Sequence, residues 1–373
     1  MSQKRILLMY ISETSGHHSA TIAIEKALRI LDPRTQILNI NSFTYTNPLL
    51  EKIINKAYLG VIKKMPHIWD FLYDNPFVVE KTQSLKTAIH KSNFRKLKVL
   101  FEEFNPNVVA CTQAFPCGIV ADYKVKFNLN FSLLGVLTDF LPHGFWFYDH
   151  VNYYIVASDE AKQRFIKEGF PERKIRSLGI PIDPKFSLSL EKNKIAKKFD
   201  LDLNLPIILV MGGGQGIGPI KHIVLELTKS KFLFQIIVVA GKNKKLLSWL
   251  NKQKSRFHKR LITFEYVNNI EELMQIATFI VTKPGGLTAA EALAKGLPLV
   301  IVKPIPGQEI NNTIYLLKKD VAIEVDEIKH INPQIEAVLN NQGKFQEMRK
   351  KALALGKPRS ALDIAQFILN LNV

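Results

Sequence analysis

Short, continuously apolar segments alternate along this chain with stretches in which apolar residues recur at helical spacing. In the first half the apolar segments are Ile6–Ile11, Val108–Cys111, Leu133–Leu137 and Tyr153–Ala157. In the second half they are Ile207–Met211, Gln235–Ala240, Leu261–Tyr266, Phe279–Thr282 and Leu299–Val302. Runs without polar alternation predict strands buried on both faces, as in a parallel sheet covered by helices. Strand-then-helix order, repeated in both halves, predicts an α/β protein of two doubly wound, Rossmann-like domains. The stretch from Gly179 to Leu205, with Pro181, Pro184, mixed charge and weak periodicity, reads as the linker. Ligands of open α/β sheets bind beyond the carboxyl ends of the strands, so the two domains are expected to face each other across a ligand cleft.

Length and composition agree with that division. The chain has 373 residues, too many for one ordinary domain, and 47% hydrophobic residues, enough for filled cores. No apolar run approaches the roughly 20 residues needed to span a bilayer. The apolar stretch near the N-terminus runs into polar residues without a small-residue cleavage site, so it reads as a first strand and the protein is expected in the cytoplasm. Cys111 and Cys117 have no metal-site spacing and read as ordinary small residues. The formal net charge of +18 suggests a polyanionic partner, either nucleic acid or an anionic membrane leaflet; a lysine-rich solvated surface is the plain alternative.

The chemistry gathers in three loops of the second half. After Ile207–Met211 comes Gly212-Gly213-Gly214-Gln215-Gly216-Ile217-Gly218, with a helix expected near Pro219. Glycines let backbone amides approach a ligand closely, and a helix N-terminus behind them favours phosphate. The spacing is neither a Walker loop nor a dinucleotide fingerprint, and a tight turn is the plain alternative. After Phe279–Thr282, the run Lys283-Pro284-Gly285-Gly286-Leu287-Thr288 opens a helix, with Gly285, Gly286 and Thr288 aimed at phosphate. Glu291, one turn in, suits a ribose diol or else stabilises the helix dipole. After Leu299–Val302, a proline-rich loop leads to Gln308 and Glu309, suited to sugar hydroxyls or to capping the next helix.

The first half carries features suited to a lipid surface. Between Leu49 and Ile62 the apolar residues paint one helical face, while Lys52, Lys56 and Lys63 share the opposite side. Such a helix can lie among lipid headgroups, though packing on its own domain is the commoner fate. Trp69, Phe71, Tyr73 and Phe77 crowd a short stretch, and Phe145-Trp146-Phe147-Tyr148 forms another; aromatic loop tips suit a membrane interface, with buried core as the competing account. The basic excess continues through Lys81, Lys86, Lys91, Arg95, Lys96 and Lys98, and each such charge near an anionic leaflet adds about 1 kcal/mol.

These residues resemble nucleotide-sugar glycosyltransferases of the GT-B fold, specifically the monogalactosyldiacylglycerol synthase and processive diacylglycerol glucosyltransferase family. The resemblance spans nearly the whole chain. It rests on GGGQGIG, EYVNNIEELM, TKPGGLTAAEALAKGLP and PGQEINN in the second half, and on SGHHSA, NPLLEKIINKAYLGVIKKMPHIWDFLY, the stretch from Thr138 to Phe170, and GIPIDPKF in the first. It implies a diphosphate on Gly214, Gly216, Gly286 and Thr288, ribose on Glu291, uracil on the Val267 backbone, and hexose hydroxyls on Gln308, Glu309 and Asn312. It also implies inverting transfer from UDP-glucose or UDP-galactose to diacylglycerol, making glycolipid at the inner face of the cell membrane. The first loop departs from the family's glycine run, reading Thr14-Ser15-Gly16-His17-His18.

The resemblance gives the domains as 1–183 for acceptor and membrane, 184–355 for donor, and 356–373 as a terminal helix that packs back on the first domain. Inverting transfer needs a base, and His17, just after the first strand, is the candidate, with helix capping or phosphate contact as its alternative and His18 as the rival. Asp139 either assists the base, orients the acceptor or caps the next segment. Leaving-group stabilisation is expected from amides and helix dipoles, with no metal and no cofactor; Asp200-Leu201-Asp202 imitates a metal motif from within the linker. Three rivals remain. A UDP-N-acetylglucosamine 2-epimerase shares the fold but takes soluble substrates; a transferase of N-acetylglucosamine to a peptidoglycan lipid intermediate is a closer rival, against which the long segment from Asn47 to Tyr73 favours diacylglycerol. A nucleic-acid-binding protein needs a zinc motif or an aromatic RNP-type strand, and neither is present, so nucleic acid is not expected as a partner.

Overall fold

The computed structural model describes residues 3–13, 15–46 and 83–371. The chain divides into two compact units. The first draws on the chain up to Pro184, on Pro306–Gln308 and on the segment from Arg359; the second comprises Lys185–Ile305 and Glu309–Pro358.

The first unit is a six-stranded parallel sheet in the order β2-β1-β3-β4-β5-β6. Its strands are β1 (Arg5–Tyr10), β2 (Gln36–Asn41), β3 (Val108–Cys111), β4 (Ser132–Val136), β5 (Tyr153–Ile155) and β6 (Ile175–Arg176). Its helices are α1 (Gly16–Leu31), α2 (Ser42–Thr46), α3 (Gln83–Phe104), α4 (Ala114–Lys126) and α5 (Asp159–Lys167). The alternating side chains of β1 serve two cores, because successive residues of a strand point to opposite faces. Leu7 and Met9 join a cluster with Leu97 of α3 and Val120 of α4. Ile6 and Leu8 join another with Ile24 and Leu28 of α1.

That second cluster is completed by the end of the chain. Helix α14 (Ser360–Asn370) contributes Ala361, Ile364, Ala365 and Ile368, all buried against α1. Lys4 Nζ donates to the carbonyls at its C-terminus, 3.3 Å from Ile368 O and 2.6 Å from Leu371 O, with Leu369 O between them. A cation there also opposes the negative end of the helix dipole. Ser360 Oγ donates to Ile180 O at 2.7 Å and accepts from Ile182 N at 3.2 Å, fastening the start of α14 beside the point where the chain leaves this unit.

The second unit repeats the plan with strand order β12-β11-β10-β7-β8-β9, again all parallel. The strands are β7 (Ile207–Met211), β8 (Gln235–Val239), β9 (Leu261–Phe264), β10 (Phe279–Thr282), β11 (Leu299–Val302) and β12 (Ala322–Val325). Between and after them run α6 (Lys192–Phe199), α7 (Ile220–Lys229), α8 (Lys244–Gln253), α9 (Ile270–Ile276), α10 (Gly286–Ala294), α11 (Gln308–Lys318), α12 (Ile331–Asn340) and α13 (Gln342–Leu355). All of β7, β8, β10 and β11 is buried. Helix α6 lies inside the stretch expected to be linker. It packs against α9 and buries only Ile195 and Ala196, which is why its apolar pattern is faint.

Each sheet has one point where strand order reverses. In the first unit it falls between β1 and β3, and in the second between β7 and β10. The crevice beyond the carboxyl ends at such a point is where open α/β sheets bind ligands.

Candidate functional site

In the first unit the reversal point is occupied by a histidine. His17 opens α1 one residue past Gly16, after a turn in which Ser15 caps the helix and Ser12 adopts a left-handed φ of 64°. Its Nδ1 lies 2.9 Å from the carbonyl oxygen of Thr112, the residue after β3, and 2.9 Å from Oγ1 of Thr138, just beyond β4. A carbonyl only accepts, so Nδ1 carries the proton and Nε2 is left with its lone pair. Thr112 Oγ1 in turn donates to the His17 carbonyl at 2.9 Å, closing the clasp. Burial pushes the imidazole down to about 4, against a smaller upward pull from the Thr112 carbonyl. The ring is therefore neutral at physiological pH, with its basic nitrogen fixed by backbone geometry.

His18 turns elsewhere. Its Nδ1 lies 2.9 Å from the Glu13 carbonyl, and its ring stacks on Tyr10 at 4.3 Å between centroids. Tyr10 donates to Glu13 Oε1 at 2.7 Å, so these contacts stay within the first loop. The bridge from β1 to the ends of β3 and β4 belongs to His17. Asp139 follows Thr138 at the same edge and is half-buried.

In the second unit the reversal point is flanked by the two glycine loops, one after β7 and one after β10. Several glycines there are required by the fold. A Cβ on Gly212 would sit 2.2 Å from Ile217 O, and Gly216 combines a φ of 61° with a Cβ position 1.9 Å from Ala240 O. Gly213 and Gly218 have φ of 66° and 126°. Gly214 and Gly285 differ. Neither has a positive φ; a Cβ on Gly214 would make ordinary contact with Tyr266 at 3.5 Å, and one on Gly285 would meet nothing within 4 Å. The protein's own packing gives no reason for glycine at either position. Both keep open a space beside main-chain amides, which is what a group approaching from outside needs.

Gly285 is the N-cap of α10 and supplies no side-chain cap to its first turn, Gly286, Leu287 and Thr288. Those amides point along the helix axis with the positive end of its dipole. Gly286 is buried, and Thr288 and Glu291 are half-buried one turn apart. Val267 follows β9, next to Tyr266, which reaches Gly214. Gln308, half-buried, begins α11 after Gly307, whose φ is 88°.

Glu309 and Asn312 are more deeply placed. Glu309 Oε1 accepts from Lys283 Nζ at 2.6 Å and Oε2 from Ile305 N at 2.7 Å, so both oxygens hold the loops after β10 and β11 together. Asn312 is fully buried and its Nδ2 donates to Pro284 O at 3.1 Å. The two residues brace the turn carrying Gly285 from behind. The Lys283–Glu309 pair is not visible in sequence, since it requires knowing that β10 and β11 are neighbours. Thr112 carries no signal in the sequence, because it acts through its carbonyl, which any residue possesses.

One expectation is corrected. Trp146 is 4% exposed and belongs to the core that contains Phe165 and Tyr154, so it offers no ring to a lipid surface. Tyr154 Oη donates to Trp146 O at 2.7 Å and accepts from Tyr148 N at 3.0 Å, drawing the aromatic turn inward. Gly118 leaves the room that the Tyr148 ring fills. Lys52, Lys56 and Lys63, with Trp69, Phe71, Tyr73 and Phe77, lie outside the described residues. Asp200 pairs with Arg260 at 2.6 Å, while Asp202 accepts from Asn204 N at 2.8 Å. Among the described residues no group of three or more His, Cys, Asp or Glu side chains is arranged to hold a metal, and no helix is long and apolar enough to cross a membrane.

Comparison with known proteins accounts for both units. Residues 17–182 match the model of monogalactosyldiacylglycerol (MGDG) synthase, and residues 207–366 match that of the glycosyltransferase family 28 C-terminal domain. A processive diacylglycerol beta-glucosyltransferase of Bacillus cytotoxicus is 30% identical over 371 residues, covering 99% of this chain and 94% of that protein. The enzyme of the same name from Bacillus licheniformis is 28% identical over 359 residues, covering 95% and 91%. Among solved structures, UDP-GlcNAc 2-epimerase from Neisseria meningitidis bound to UDP-GlcNAc aligns with TM-score 0.63 at 14% identity, covering 98% of this chain and 100% of that one. MurG of Acinetobacter baumannii aligns with TM-score 0.63 at 15% identity and the same coverage. At such identities the structural likeness speaks for the fold, the two-sheet GT-B architecture; the sequence relatives speak for the family.

Proposed function

Because the chain belongs to the family of monogalactosyldiacylglycerol synthases and processive diacylglycerol glucosyltransferases, we propose that it moves a hexose from a UDP-sugar to the free hydroxyl of diacylglycerol and so makes a glycolipid. Glucose is the first choice of sugar, since the relatives at about this identity are glucosyltransferases; galactose is the second. The observation that carries the donor half is the pair of glycines, Gly214 and Gly285, which the fold does not need and an approaching diphosphate does.

The chemistry divides between the units. In the first, Nε2 of His17 takes the proton from the acceptor hydroxyl as its oxygen attacks the anomeric carbon. The bond from that carbon to the β-phosphate oxygen breaks, and UDP leaves with the electron pair. In the second, the amides of Gly214, Gly216, Gly286 and Thr288, with the α10 dipole, meet the charge that develops on the diphosphate. Glu291 takes the ribose, the backbone of Val267 the uracil, and Gln308 the hexose; Glu309 and Asn312 hold the loop that carries Gly285. Attack on the face opposite the leaving group inverts the anomeric centre. This scheme needs no metal, so activity is expected to survive chelation. The enzyme is expected to work as a peripheral protein on an anionic membrane face, recruited through Lys52, Lys56 and Lys63.

The test is direct. Purified protein is incubated with diacylglycerol in mixed micelles and, separately, UDP-glucose, UDP-galactose or UDP-N-acetylglucosamine, with EDTA present. A hexosyl lipid from one of the first two donors is the expected product. Transfer or epimerisation confined to UDP-N-acetylglucosamine, or no glycolipid with any donor, overturns the reading.

A further inference from the structure

We infer that Lys242 is a phosphate-binding residue of the donor site, setting its ammonium group against the diphosphate at the rim of the glycine loop; this rests on the donor reading above. The loop after β8 is built onto the loop after β7. Lys242 N donates to Gly214 O at 3.0 Å, Lys244 N to Lys242 O at 3.1 Å, and Asn243 Nδ2 to Gly216 O at 3.0 Å. Gly241, with a φ of 57°, allows this approach, since a Cβ there would lie 2.5 Å from Gly214 O. The main chain of Lys242 is thereby fixed one hydrogen bond from the glycine that the fold leaves open.

The side chain of Lys242 is exposed, and its flexible four-carbon stem can bring three donors to any oxygen bound over Gly214. Among the described residues it forms no ion pair. Its surroundings sharpen the point. The next residues, Lys244 and Lys245, open α8 with no acidic residue in the first turn, although cations at a helix N-terminus oppose the dipole. Three uncompensated lysines beside one loop are unfavourable in the free protein, and an anion bound in that loop relieves the repulsion. A charge-assisted contact from Lys242 would also strengthen as the leaving diphosphate gains charge.

The experiment compares wild type with Lys242→Met by calorimetric titration of UDP and of uridine at low salt. Lys252→Met, an exposed position at the far end of α8, controls for net charge. We expect the Kd for UDP to rise about tenfold or more in Lys242→Met, with uridine unchanged and with Lys242→Arg restoring most of the affinity. UDP affinity unchanged in Lys242→Met, or matched by the loss in Lys252→Met, overturns the proposal. Equal weakening of UDP and uridine also overturns it, by showing a distorted loop. A wild-type protein that binds no UDP instead sinks the donor reading itself, an outcome visible before any variant is made.

Discussion

The two units place their chemistry at the same topological position, yet they build it from opposite materials. At the β1–β3 reversal the proposed working group is one imidazole, its tautomer set by the Thr112 carbonyl and its basicity lowered by desolvation. At the β7–β10 reversal the proposed working groups are main-chain amides, beside which Gly214 and Gly285 leave open the space a side chain would fill. Proton transfer needs a titratable group held in one state, which a half-buried side chain clasped by the ends of two strands provides. Recognition of a diphosphate needs several donors at close range, which a side chain would obstruct. The same fold supplies both because its reversal points present a loop and a helix start together.

The largest effect should follow from striking the first unit's side chain. His17→Gln is expected to lower kcat by about a hundred- to ten-thousand-fold while the Kd for UDP stays unchanged, measured by glycolipid formation and calorimetry. A parallel loss of UDP binding would break the division of labour. Next come paired glycine changes in the second unit. Gly216→Ala should cost more than about 2 kcal/mol in chemical denaturation, because of its left-handed backbone and the 1.9 Å approach of Ala240 O. Gly285→Ala should leave stability within about 0.5 kcal/mol but raise the donor KM by about tenfold. If both variants merely unfold, the distinction between glycines needed by the fold and glycines needed by the ligand disappears.

The most gradual effect concerns pH. The pKa of His17 lies near 4 in the folded protein against an ordinary 6.5, so between those values the unfolded chain binds a proton that the native one does not. Stability is then fully present above about pH 6.5 and falls as pH drops toward 4, by about 1 kcal/mol per pH unit at most from this group. Denaturation midpoints of wild type and His17→Gln should diverge across that window and run parallel above it. Parallel curves throughout would show that burial does not tune this ring.

How far the sequence could be read follows the same physics. Interior strands such as β7, β10 and β11 announce themselves because every residue is buried. The edge strands β2, β6 and β12 do not. β2 mixes apolar with polar residues and is largely half-exposed, β6 has two residues, and β12 carries an exposed Glu324. The glycine loops stood out because glycine is itself a backbone signal. The contacts behind them did not, since Glu309 and Lys283 lie 26 positions apart and meet only through strand order. The aromatic turn at Trp146 misled for a related reason: a loop rich in rings reads the same whether its backbone is exposed or, as here, hydrogen-bonded to Tyr154 and drawn into the core.

The terminal helix lends the chain a particular order of birth. During synthesis β1 and α1 emerge early, but the apolar side of Ile24, Leu28 and their neighbours waits for Ile364, Ala365 and Ile368. The whole second unit is translated in the interval. An N-terminal layer left half-clothed for that long is exposed to sticking and proteolysis, so nascent chains should depend on holding factors until α14 clears the ribosome. Damage to the last turn of this helix would thus be felt as poor yield of enzyme before it was felt as poor catalysis.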